Sequence, residues 1–564
     1  MNMEDIRIFC ENDKDYHKVQ PGCSLNELAG LACPGSRIIA AIVDNQLKGL
    51  DFKILQQHII RFITYDHPDG RRTYIRSLCF VLQNAVNEMF PDKILAVDYS
   101  LPSGLYCEIR EKDCLEDGRP NIYFITDEEI EALKARMMET IAKDLPFKRI
   151  KMTFEEASKL YTAKHQTEKV NLMHSVGRFT YSVYFLDGKA DTFYGPLAPS
   201  TGCLTTFDLM GFNSGFCLQY PMDGCPEKVL PMKRQSKIAT ALKEHSDWCS
   251  IMGVKGAGAL NRTVLSGNIK DLINLSEALH ERKYADIADQ IYARRGSVKI
   301  VFIAGPSSSG KTSTSKRLAI QCRILGMNPK VIELDNYFVD RELTPRDANG
   351  EYDFEALGAM DLDFLGQQLN DLLAGKEVEI PKFDFKEGRR VFNGNFMQLH
   401  DKDILIMEGI HALNPAMIPG VDSSKVFRVY ASALTSLSLD ENNNISTSDN
   451  RMLRRMIRDN RTRGVKPEET IMRWQSVRRG ENRNIFPFQE NADAVFNSAH
   501  IFELPVLKYY AEPLLRRIAP SSPAYTEAVR MLKFLSYIIP LSPSEIAVIP
   551  PTSILREFID GQTL

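Results

Sequence analysis

An α/β fold with a parallel sheet is predicted for residues 295–520 by two observations. Five short apolar runs are typical of β-strands: "VKIVFIAG", "PKVIELD", "DILIMEG", "KVFRVYAS" and "ADAVFNS". Segments with a helical pattern separate these runs, and strands that alternate with helices form parallel sheets through crossover connections. We therefore expect a parallel sheet with helices on both of its faces.

The chain is too long for one hydrophobic core. It has 564 residues, of which 44% are hydrophobic and 25% charged, and a folded protein of this size has about three or four domains. The pattern predicts an α+β module at 1–65, a larger α+β domain at 66–222, a helical connector at 223–294, the parallel-sheet domain at 295–520 and a C-terminal tail at 521–564.

The first module combines the β-like runs "DIRIFC", "RIIAAIVD" and "QLKGLDF" with the helical stretch "SLNELAGLA". Ser24 precedes the apolar periodicity of that stretch as an N-cap residue does, so we expect a helix to begin there. The second domain places the helical "RSLCFVLQNAVNEMF" and "TDEEIEALKARMMETIAKD" before the β-like "FTYSVYFLDG" and "SGFCLQYP". Both segments therefore predict mixed α+β structure.

Two later segments carry no strand pattern. The connector contains "KDLINLSEALHERKYADIADQIYARRG", whose acidic and basic residues are distributed as on a solvated helix surface. The tract "SLDENNNISTSDN", residues 438–450, is polar and has no periodicity. That composition predicts a mobile loop.

Composition excludes several classes of function. A net charge of −3 provides no general attraction to nucleic acid or to an anionic membrane. The eleven cysteines include no Cys-x-x-Cys pair, which favours reduced thiols over a disulfide framework or a zinc ribbon. The acidic N-terminus lacks the apolar core of a signal peptide, and no stretch reaches the roughly 20 apolar residues of a membrane helix. We therefore expect a cytoplasmic protein with no membrane partner.

A phosphate-binding loop is predicted between the first apolar strand and the helical "KTSTSKRLAIQCRIL". The sequence "GPSSSGKT" fits the pattern G-x-x-x-x-G-K-T, in which glycines let backbone amides turn toward phosphate oxygens at a helix N-terminus. We expect Lys311 to reach the outer phosphates and the Thr312 hydroxyl to ligate Mg²⁺. The residues predicted to bind the nucleotide are Gly305, Ser307, Ser308, Ser309, Gly310, Lys311, Thr312 and Ser313.

Two carboxylates follow other predicted strands. Asp335 ends "VIELD", and Glu408 ends "DILIME". Because ligands gather at the carboxyl ends of the strands in open α/β sheets, both side chains are candidates for the same site. Asp335 is placed to accept a proton from an attacking hydroxyl, and Glu408 to hold the water shell of Mg²⁺.

The stretch "NRMLRRMIRDNRTRG" supplies six arginines in a helical pattern. Arginines of this density can close over a transferring phosphoryl group and neutralise its charge. Because a helix cannot direct all of them to one site, we expect two or three to act and the others to serve a solvated basic face.

The stretch from 298 to about 510 resembles the uridine/cytidine kinases and, more distantly, phosphoribulokinase. The resemblance depends on the order of "GPSSSGKT", "LDNYF", "YDFEALGAMD", "IPKFDF", "IMEGIHAL" and "RRMIRDNRTRG". It implies a kinase that uses ATP and Mg²⁺ and phosphorylates the 5′-hydroxyl of a nucleoside. Asp335 would be the catalytic base and Glu408 the magnesium-associated acid, with Lys311 also catalytic. The lid arginines would be Arg455, Arg458 and Arg463.

The same resemblance assigns the substrate-binding residues. Asp353 would hold the ribose hydroxyls, with Tyr337, Phe383 and Phe385 also at the nucleoside. The family has a base-reading histidine shortly after this strand, whereas "FKEGRR" stands here, and Phe383 replaces an expected tyrosine. The alternative acceptors are therefore a purine nucleoside or a sugar phosphate, which the nearby Arg389 and Arg390 would suit.

Residues 1–222 resemble the N-terminal half of threonyl-tRNA synthetases, with a β-grasp TGS domain followed by an editing-like domain. The segments "RRTYIRSLCFVLQNAVNEMFP" and "DTFYGPLAPSTG" match those that carry the editing centre of the synthetases. The four matching positions are Arg76, Phe80, Phe193 and Leu197. Since none of them is a metal ligand or a nucleophile, we expect the editing chemistry to be lost.

A retained scaffold of this kind could bind RNA, sense a small ligand or support the kinase domain. From the motifs between Gly305 and Arg463, we expect the chain to be a nucleoside kinase, with uridine or cytidine as substrate. A third hypothesis, after the alternative acceptors, is a nucleotide-switched regulator that associates with RNA or the ribosome through its N-terminal half.

Overall fold

The computed structural model describes residues 5–102, 104–222, 224–229, 235–346, 350, 352–384, 386–418 and 420–564. Within them, every cysteine is a free thiol. No helix in these ranges is both long enough and apolar enough to cross a membrane.

The first module is a five-stranded sheet around one helix. Its elements are β1 (Ile6–Cys10), β2 (Asp15–Val19), α1 (Leu25–Ala32), β3 (Ala40–Val43), β4 (Gln46–Lys48) and β5 (Ile59–Ile63). The strand order is β2-β1-β5-β3-β4, with β1 and β5 parallel at the centre. The predicted cap is confirmed, because the Ser24 hydroxyl accepts a hydrogen bond from the Glu27 amide and the Ser24 amide donates one to the Glu27 carboxylate.

The second domain packs a long helix against antiparallel strands. Its elements are α2 (Pro68–Met89), β6 (Lys93–Leu101), β7 (Gly104–Cys114), β8 (Pro120–Tyr123), α3 (Asp127–Ala142), β9 (Lys148–Thr153), α4 (Phe154–Ala163), α5 (Thr167–Val176), β10 (Thr180–Leu186), β11 (Lys189–Asp191), β12 (Asp208–Phe212) and β13 (Gly215–Gln219). The strands form the sheets β12-β13-β7-β6, with β8 on β7, and β11-β10-β9. Helix α2 buries Leu78, Phe80 and Leu82 between them.

Three helices connect this domain to the parallel sheet. They are α6 (Ser236–Ile251), α7 (Ala257–Leu265) and α8 (Ile269–Ala293). Tyr284, Ile287 and Ile291 of α8 pack on the sheet beside Val301. The connector therefore covers one face of the sheet instead of separating two independent bodies.

The parallel sheet predicted from the sequence is confirmed. Its strands are β14 (Ile300–Ala304), β15 (Asn328–Glu333), β20 (Asp403–Glu408), β21 (Val426–Ser432) and β24 (Ala494–Asn497). The order is β15-β20-β14-β21-β24, and every adjacent pair is parallel. The carboxyl ends of β14, β15 and β20, which carry "IAG", "IELD" and "IMEG", therefore lie at the same edge of the sheet.

Helices and short hairpins surround this sheet. They are α9 (Lys311–Ile324), α10 (Leu362–Leu373), β16 (Val378–Glu379), β17 (Lys382–Asp384), β18 (Arg389–Val391), β19 (Phe396–Met397), β22 (Ser438–Asp440), β23 (Asn443–Asn444), α11 (Thr447–Arg463), α12 (Pro467–Asn484) and α13 (Glu503–Arg516). Single 3₁₀ turns occur at Thr201–Cys203, Leu334–Tyr337, Arg341–Leu343, Leu357–Ala359, Pro415–Met417, Ser423–Lys425 and Phe486–Asn491.

The C-terminal segment folds onto the helices of the parallel-sheet region. Its helices are α14 (Tyr525–Leu535), α15 (Pro543–Ile546) and α16 (Arg556–Ile559). Met531, Leu535 and Phe558 are buried in the same core as Met452 and Leu453 of α11. This segment is therefore an integral part of the core.

The prediction of a mobile loop at 438–450 is wrong. Residues 438–444 form the hairpin β22–β23, which is buried against the second domain, and α11 begins at Thr447. Asp440 accepts hydrogen bonds from the Tyr194 hydroxyl (2.5 Å) and from the Asn443 side chain (2.7 Å). The tract is polar because its partners are polar groups of another domain, which the local pattern does not reveal.

Candidate active site

The loop after β14 has the backbone that a phosphate cradle requires. Gly310 has φ +81°, and Ser308 has φ +59°, so the chain turns back on itself before α9 begins. A Cβ on Gly305 would lie 1.9 Å from the carbonyl oxygen of Ala431, which excludes any other residue there. The glycines of the motif are therefore fixed by close packing as well as by backbone conformation.

The side chains of this loop leave polar atoms available to a ligand. The buried hydroxyls of Ser308 and Ser309 have no hydrogen-bond partner among the described residues. Lys311 lies at the start of α9, and its ammonium group contacts the carbonyl oxygen of Pro306 at 3.4 Å. Unsatisfied donors at a helix N-terminus are the groups that a nucleotide phosphate would satisfy.

Thr312 and Glu408 lie together at the edge of the sheet. The Thr312 hydroxyl donates to Glu408 Oε1 over 2.6 Å. Burial and the charges of Asp335 and Glu333, opposed by Lys311 and by the Thr312 hydrogen bond, together raise the pKa of Glu408 to about 7. A hydroxyl and a carboxylate are hard oxygen ligands, so this pair fits Mg²⁺.

Asp335 follows β15 in the turn Leu334–Tyr337, beside the phosphate loop. Burial raises the pKa of its carboxyl group, whereas Lys311, Arg463 and Arg458 lower it. These opposing effects place the carboxylate within the electrostatic reach of the loop lysine and of two arginines from α11. The structure thus brings together Lys311, Asp335 and Glu408, which are distant in the sequence.

Five of the six arginines of α11 form two groups, and the sixth, Arg461, pairs with Asp560 over 3.0 Å. Arg451 and Arg454 are buried and form ion pairs with Glu481 and Glu503. Arg451 also donates to the Ser307 carbonyl oxygen over 3.1 Å, and Arg455 donates to the Ser307 hydroxyl over 2.9 Å, so both reach the loop.

Arg455, Arg458 and Arg463 form the second group. All three contact Asp459, with nitrogen to oxygen distances of 3.3, 2.8 and 3.5 Å. Arg463 is 60% exposed, whereas Arg458 is 18% exposed. The three predicted lid arginines therefore gather around one carboxylate at the mouth of the site.

Two further carboxylates belong to this site. Glu481 accepts from the Ser307 amide (3.1 Å), from Arg451 (2.8 Å) and from Arg478 (3.0 Å). Burial and the charges of Glu481 and Asp335, opposed by Arg455 and Lys311, together raise the pKa of Glu355 to about 7. One oxygen of Glu355 is buried without a partner among the described residues.

The sequence pattern did not predict a role for either carboxylate, Glu355 or Glu481. Glu355 lies in "YDFEALGAMD", where its position two residues after Asp353 was the available signal. Glu355 packs closely against Gly480 of α12, where a Cβ would lie 2.5 Å from the Glu355 Cβ. Glu481 carried no signal, because its partner Arg451 is thirty residues away along the chain.

The predicted substrate-binding residues occupy different environments. Asp353 is half-buried and lies 3.8 Å from Arg483, between carboxylate oxygen and guanidinium nitrogen. Phe383 is buried against the Phe338 ring, 5.8 Å between centroids. Tyr337 is fully buried, and its hydroxyl donates to Gln368 over 2.8 Å. Tyr337 is thus a core residue, and Phe385 lies outside the described residues.

The comparison with known proteins identifies this part of the chain. The model of the Phosphoribulokinase / Uridine kinase family matches residues 300–503. Those residues form a phosphoribulokinase/uridine kinase family domain. The matched range contains the phosphate loop, Asp335, Glu408 and the arginines of α11.

Individual relatives fall into two groups. A uridine kinase of Macrococcus caseolyticus is 29% identical over 197 residues, which cover 35% of this chain and 86% of that protein. The N-terminal half matches threonine–tRNA ligases. That of Clostridium kluyveri is 23% identical over 214 residues. The solved structure of a possible uridine kinase from Bacillus stearothermophilus has 20% identity and a TM-score of 0.26, and the match covers 37% of this chain and 97% of that one.

The synthetase match is partial. It covers 37% of this chain, which spans 32% of the length of the Clostridium kluyveri ligase. The kinase family domain therefore follows a segment that is similar to part of a synthetase.

The four editing-like positions lie in a packed environment. Phe80 contacts Phe193 at 5.3 Å between ring centroids, and Leu197 is buried in the same cluster. Arg76 donates to the Pro196 carbonyl (3.3 Å) and to Thr73 (3.1 Å). In the described part of the chain, the one group of side chains arranged like metal ligands is Cys10, Asp13 and His17, in the first module.

The C-terminal segment reaches the phosphate loop of the kinase family domain. The Glu557 carboxylate accepts from the Ser313 hydroxyl (2.5 Å) and amide (3.3 Å). Ile554 packs on Gly310, where a Cβ would lie 2.4 Å from its side chain. An acidic side chain therefore contacts Ser313, one of the residues predicted to bind the nucleotide.

Proposed function

We propose that the protein is an ATP- and Mg²⁺-dependent kinase that transfers the γ-phosphoryl group to the 5′-hydroxyl of a nucleoside, with uridine or cytidine as the acceptor. The observation that carries the proposal is the grouping of Asp335, Lys311 and Glu408 with the α11 arginines at one edge of the sheet. A simple nucleotide switch has no clear use for this base and these arginines. The family match over the same residues supports the same chemistry.

Each group has a role that its position supports. Asp335 orients the acceptor hydroxyl and takes its proton. Lys311 and the loop amides hold the phosphates, while Arg455, Arg458 and Arg463 balance the charge that spreads over the transferring group. Thr312 and Glu408 hold Mg²⁺, which when bound neutralises charge on the phosphate oxygens. The protein thereby contributes positioning and electrostatic stabilisation.

A panel of nucleosides with ATP, scored by product mass, tests the proposal. We expect conversion of uridine or cytidine to the monophosphate by the purified full chain. Turnover of a purine nucleoside or a sugar phosphate alone would favour the second candidate. The absence of turnover across the panel, with slow ATP hydrolysis and co-sedimentation with tRNA or ribosomes, would overturn the kinase proposal in favour of a regulator.

One observation bears on the second candidate. Arg390 is bound to Asp361 over 2.6 Å and lies over the Phe364 ring, so its charge is already compensated. Arg389 is 64% exposed and lies 3.9 Å from Glu387. An anionic acceptor would therefore meet Arg389 alone, which supports a nucleoside over a sugar phosphate.

Binding of Mg²⁺ is expected to depend on pH through Glu408. Its pKa is raised to about 7, and a carboxylate must lose its proton to serve a metal ion, so affinity rises from about pH 6 to about pH 8. Isothermal titration with Mg²⁺ and ATP measures the change. Glu408→Gln should weaken binding and flatten the pH dependence, and an unchanged slope in this variant would contradict the assignment.

The same shift has a consequence for stability. The folded protein retains the Glu408 proton between the ordinary pKa of 4.5 and about 7, whereas the unfolded chain has lost it. The free energy of unfolding without Mg²⁺ is therefore expected to decrease as the pH rises through this window. Chemical denaturation at several pH values checks this, with Glu408→Gln removing that contribution.

Removing the charge of Glu557 is expected to strengthen ATP binding. Its carboxylate lies on the Ser313 amide and hydroxyl, where it repels phosphate and competes for the same donors. Glu557→Gln should lower the KM for ATP by about fivefold, which corresponds to a charge interaction of about 1 kcal/mol. Glu469→Gln, at an exposed position of α12, is the matched control. A higher KM in Glu557→Gln would show that the carboxylate supports the loop instead.

A further inference from the structure

A basic recess lies where the first module, the editing-like domain and helix α14 meet. It has a volume of about 320 Å³. Four cationic side chains line it: Lys48, Arg149, Lys151 and Lys533. They come from β4, β9 and α14, so the recess exists only in the folded chain.

Among the residues that the structure describes, the charge in this recess is balanced only at Arg149. No carboxylate is among the described lining residues. Asp51 lies outside it and contacts Arg149 at 3.0 Å. Within the described part of the chain, neither Lys151 nor Lys533 forms an ion pair.

Lys533 of α14 lies close to other cationic side chains. Burial, together with the charges of Arg76, Arg178, Arg149 and Lys48, lowers the pKa of Lys533 to about 8. A positive group held among positive groups, with part of its surface still in contact with solvent, is stabilised when an anion binds.

The recess also has apolar walls. Phe52, Tyr184 and Phe193 line it together with Gly195 and Pro196. The rings of Tyr184 and Phe193 are buried and that of Phe52 is partly exposed, and an exposed ring beside lysines suits a ligand that carries both a flat ring and a phosphate. The volume lies at the lower end of the range for small-molecule sites, which are about 300–1,000 Å³ and often occur between domains.

We propose that this recess binds a small phosphate-bearing ligand, a mononucleotide, through Lys48, Arg149, Lys151 and Lys533. The site is distinct from the phosphate loop and does not depend on the proposed kinase activity. It occupies the place beside Phe193 where the sequence lacks hydrolytic groups, so it binds without chemistry. A domain that has lost an editing centre thereby retains a ligand site of another kind.

The position of the recess gives its ligand a route to the kinase family domain. Arg530, on the same helix as Lys533, forms two 2.8 Å hydrogen bonds with Asp449 in the first turn of α11. Arg72 of α2 holds Glu527 of α14 at 2.8 Å. A ligand on Lys533 therefore restrains a helix that is bonded to the helix carrying Arg455.

Binding is tested with the full chain in a Lys311→Ala background, which removes the phosphate contact of the loop. Inorganic phosphate, UMP and AMP are titrated calorimetrically. We expect the mononucleotides to bind and to raise the melting temperature. Lys151→Gln and Lys533→Gln should each weaken binding about tenfold, the loss of one charge-assisted contact. Lys159→Gln, an exposed lysine of the same domain, should leave binding unchanged.

The outcomes are distinct. Equal binding of phosphate and mononucleotides would assign the site to phosphate alone and overturn the role of the aromatic walls. Unchanged affinity in both lysine variants, or no binding of any probe at millimolar concentration, would overturn the site. Binding of a short RNA through the same lysines without binding of mononucleotides would replace the small ligand with RNA.

Hydrogen exchange tests the link to α11. With UMP bound, we expect slower exchange in α14 and in the first turn of α11, because the bound ligand restrains Lys533. Exchange that slows at the recess alone would overturn the link. Both experiments measure binding without turnover, so their failure is separate from failure of the proposed kinase.

Discussion

Replacing Asp335 with Asn is expected to lower the turnover of the preferred nucleoside by about a hundredfold to ten-thousandfold, the usual contribution of a general base. The amide keeps the shape of the side chain but cannot take the hydroxyl proton. ATP binding should persist, because Lys311, Thr312 and the loop amides remain. Steady-state kinetics and a separate ATP titration measure the two effects.

Asp363→Asn is the matched control for this substitution. Asp363 is an exposed carboxylate in the first turn of α10, on the same domain. Its replacement should leave both turnover and ATP binding unchanged. If Asp335→Asn retained more than about a tenth of the turnover, the base would have to be another group, and the half-buried Glu355 would be the next candidate.

Replacing Lys169 with Met is expected to destabilise the folded chain by about 3–5 kcal/mol, the usual cost of removing one partner from a buried ion pair. Lys169 and Asp191 are both fully buried and form an ion pair. The charge of Lys169 also lowers the pKa of Asp440, which burial raises and the neighbouring Asp191 raises further. Loss of the ammonium group leaves two buried carboxylates without their counter-ion.

Thermal and chemical unfolding of the full chain measure this effect. Lys159→Met, an exposed position on α4, should change the free energy of unfolding by less than about 0.5 kcal/mol. A double replacement that also removes the Asp191 charge should recover part of the loss. A loss below about 1 kcal/mol in Lys169→Met would show that these carboxylates fold protonated and do not need the lysine.

The Lys169–Asp191 ion pair matters for more than stability, because it lies at the junction between the synthetase-like half and the kinase family domain. Glu441 accepts from the Glu168 amide (2.8 Å), and the Asn442 side chain donates to the Leu95 carbonyl (3.2 Å). The hairpin that makes these contacts leads directly into α11 and its arginines. The synthetase-like half therefore supports the position of the helix that covers the phosphate loop.

Local sequence patterns were sufficient for much of the kinase family domain. The five parallel strands were visible as apolar runs, and the phosphate loop as a contiguous motif between a strand and a helix. The strand-end positions of Asp335 and Glu408 followed from the same pattern. Such features depend on neighbours along the chain, so periodicity and spacing reveal them.

The division of the arginines required the fold. The sequence placed six of them on one helix and predicted that two or three would act. The structure separates Arg451 and Arg454, which pair with Glu481 and Glu503, from Arg455, Arg458 and Arg463 around Asp459. Which arginine meets a buried carboxylate depends on how α12 and α13 pack against α11, and no spacing within α11 encodes that.

The sequence alone thus determined the parallel sheet and the phosphate loop. The tertiary structure alone decided that residues 438–444 form a buried hairpin, that Glu557 contacts Ser313 beside the phosphate loop, and that four cations from three segments form one recess. The physical reason is common to all three. A polar group is buried or exposed according to partners that lie far away along the chain, and hydrogen bonds and ion pairs between such partners leave no periodic signal in the sequence.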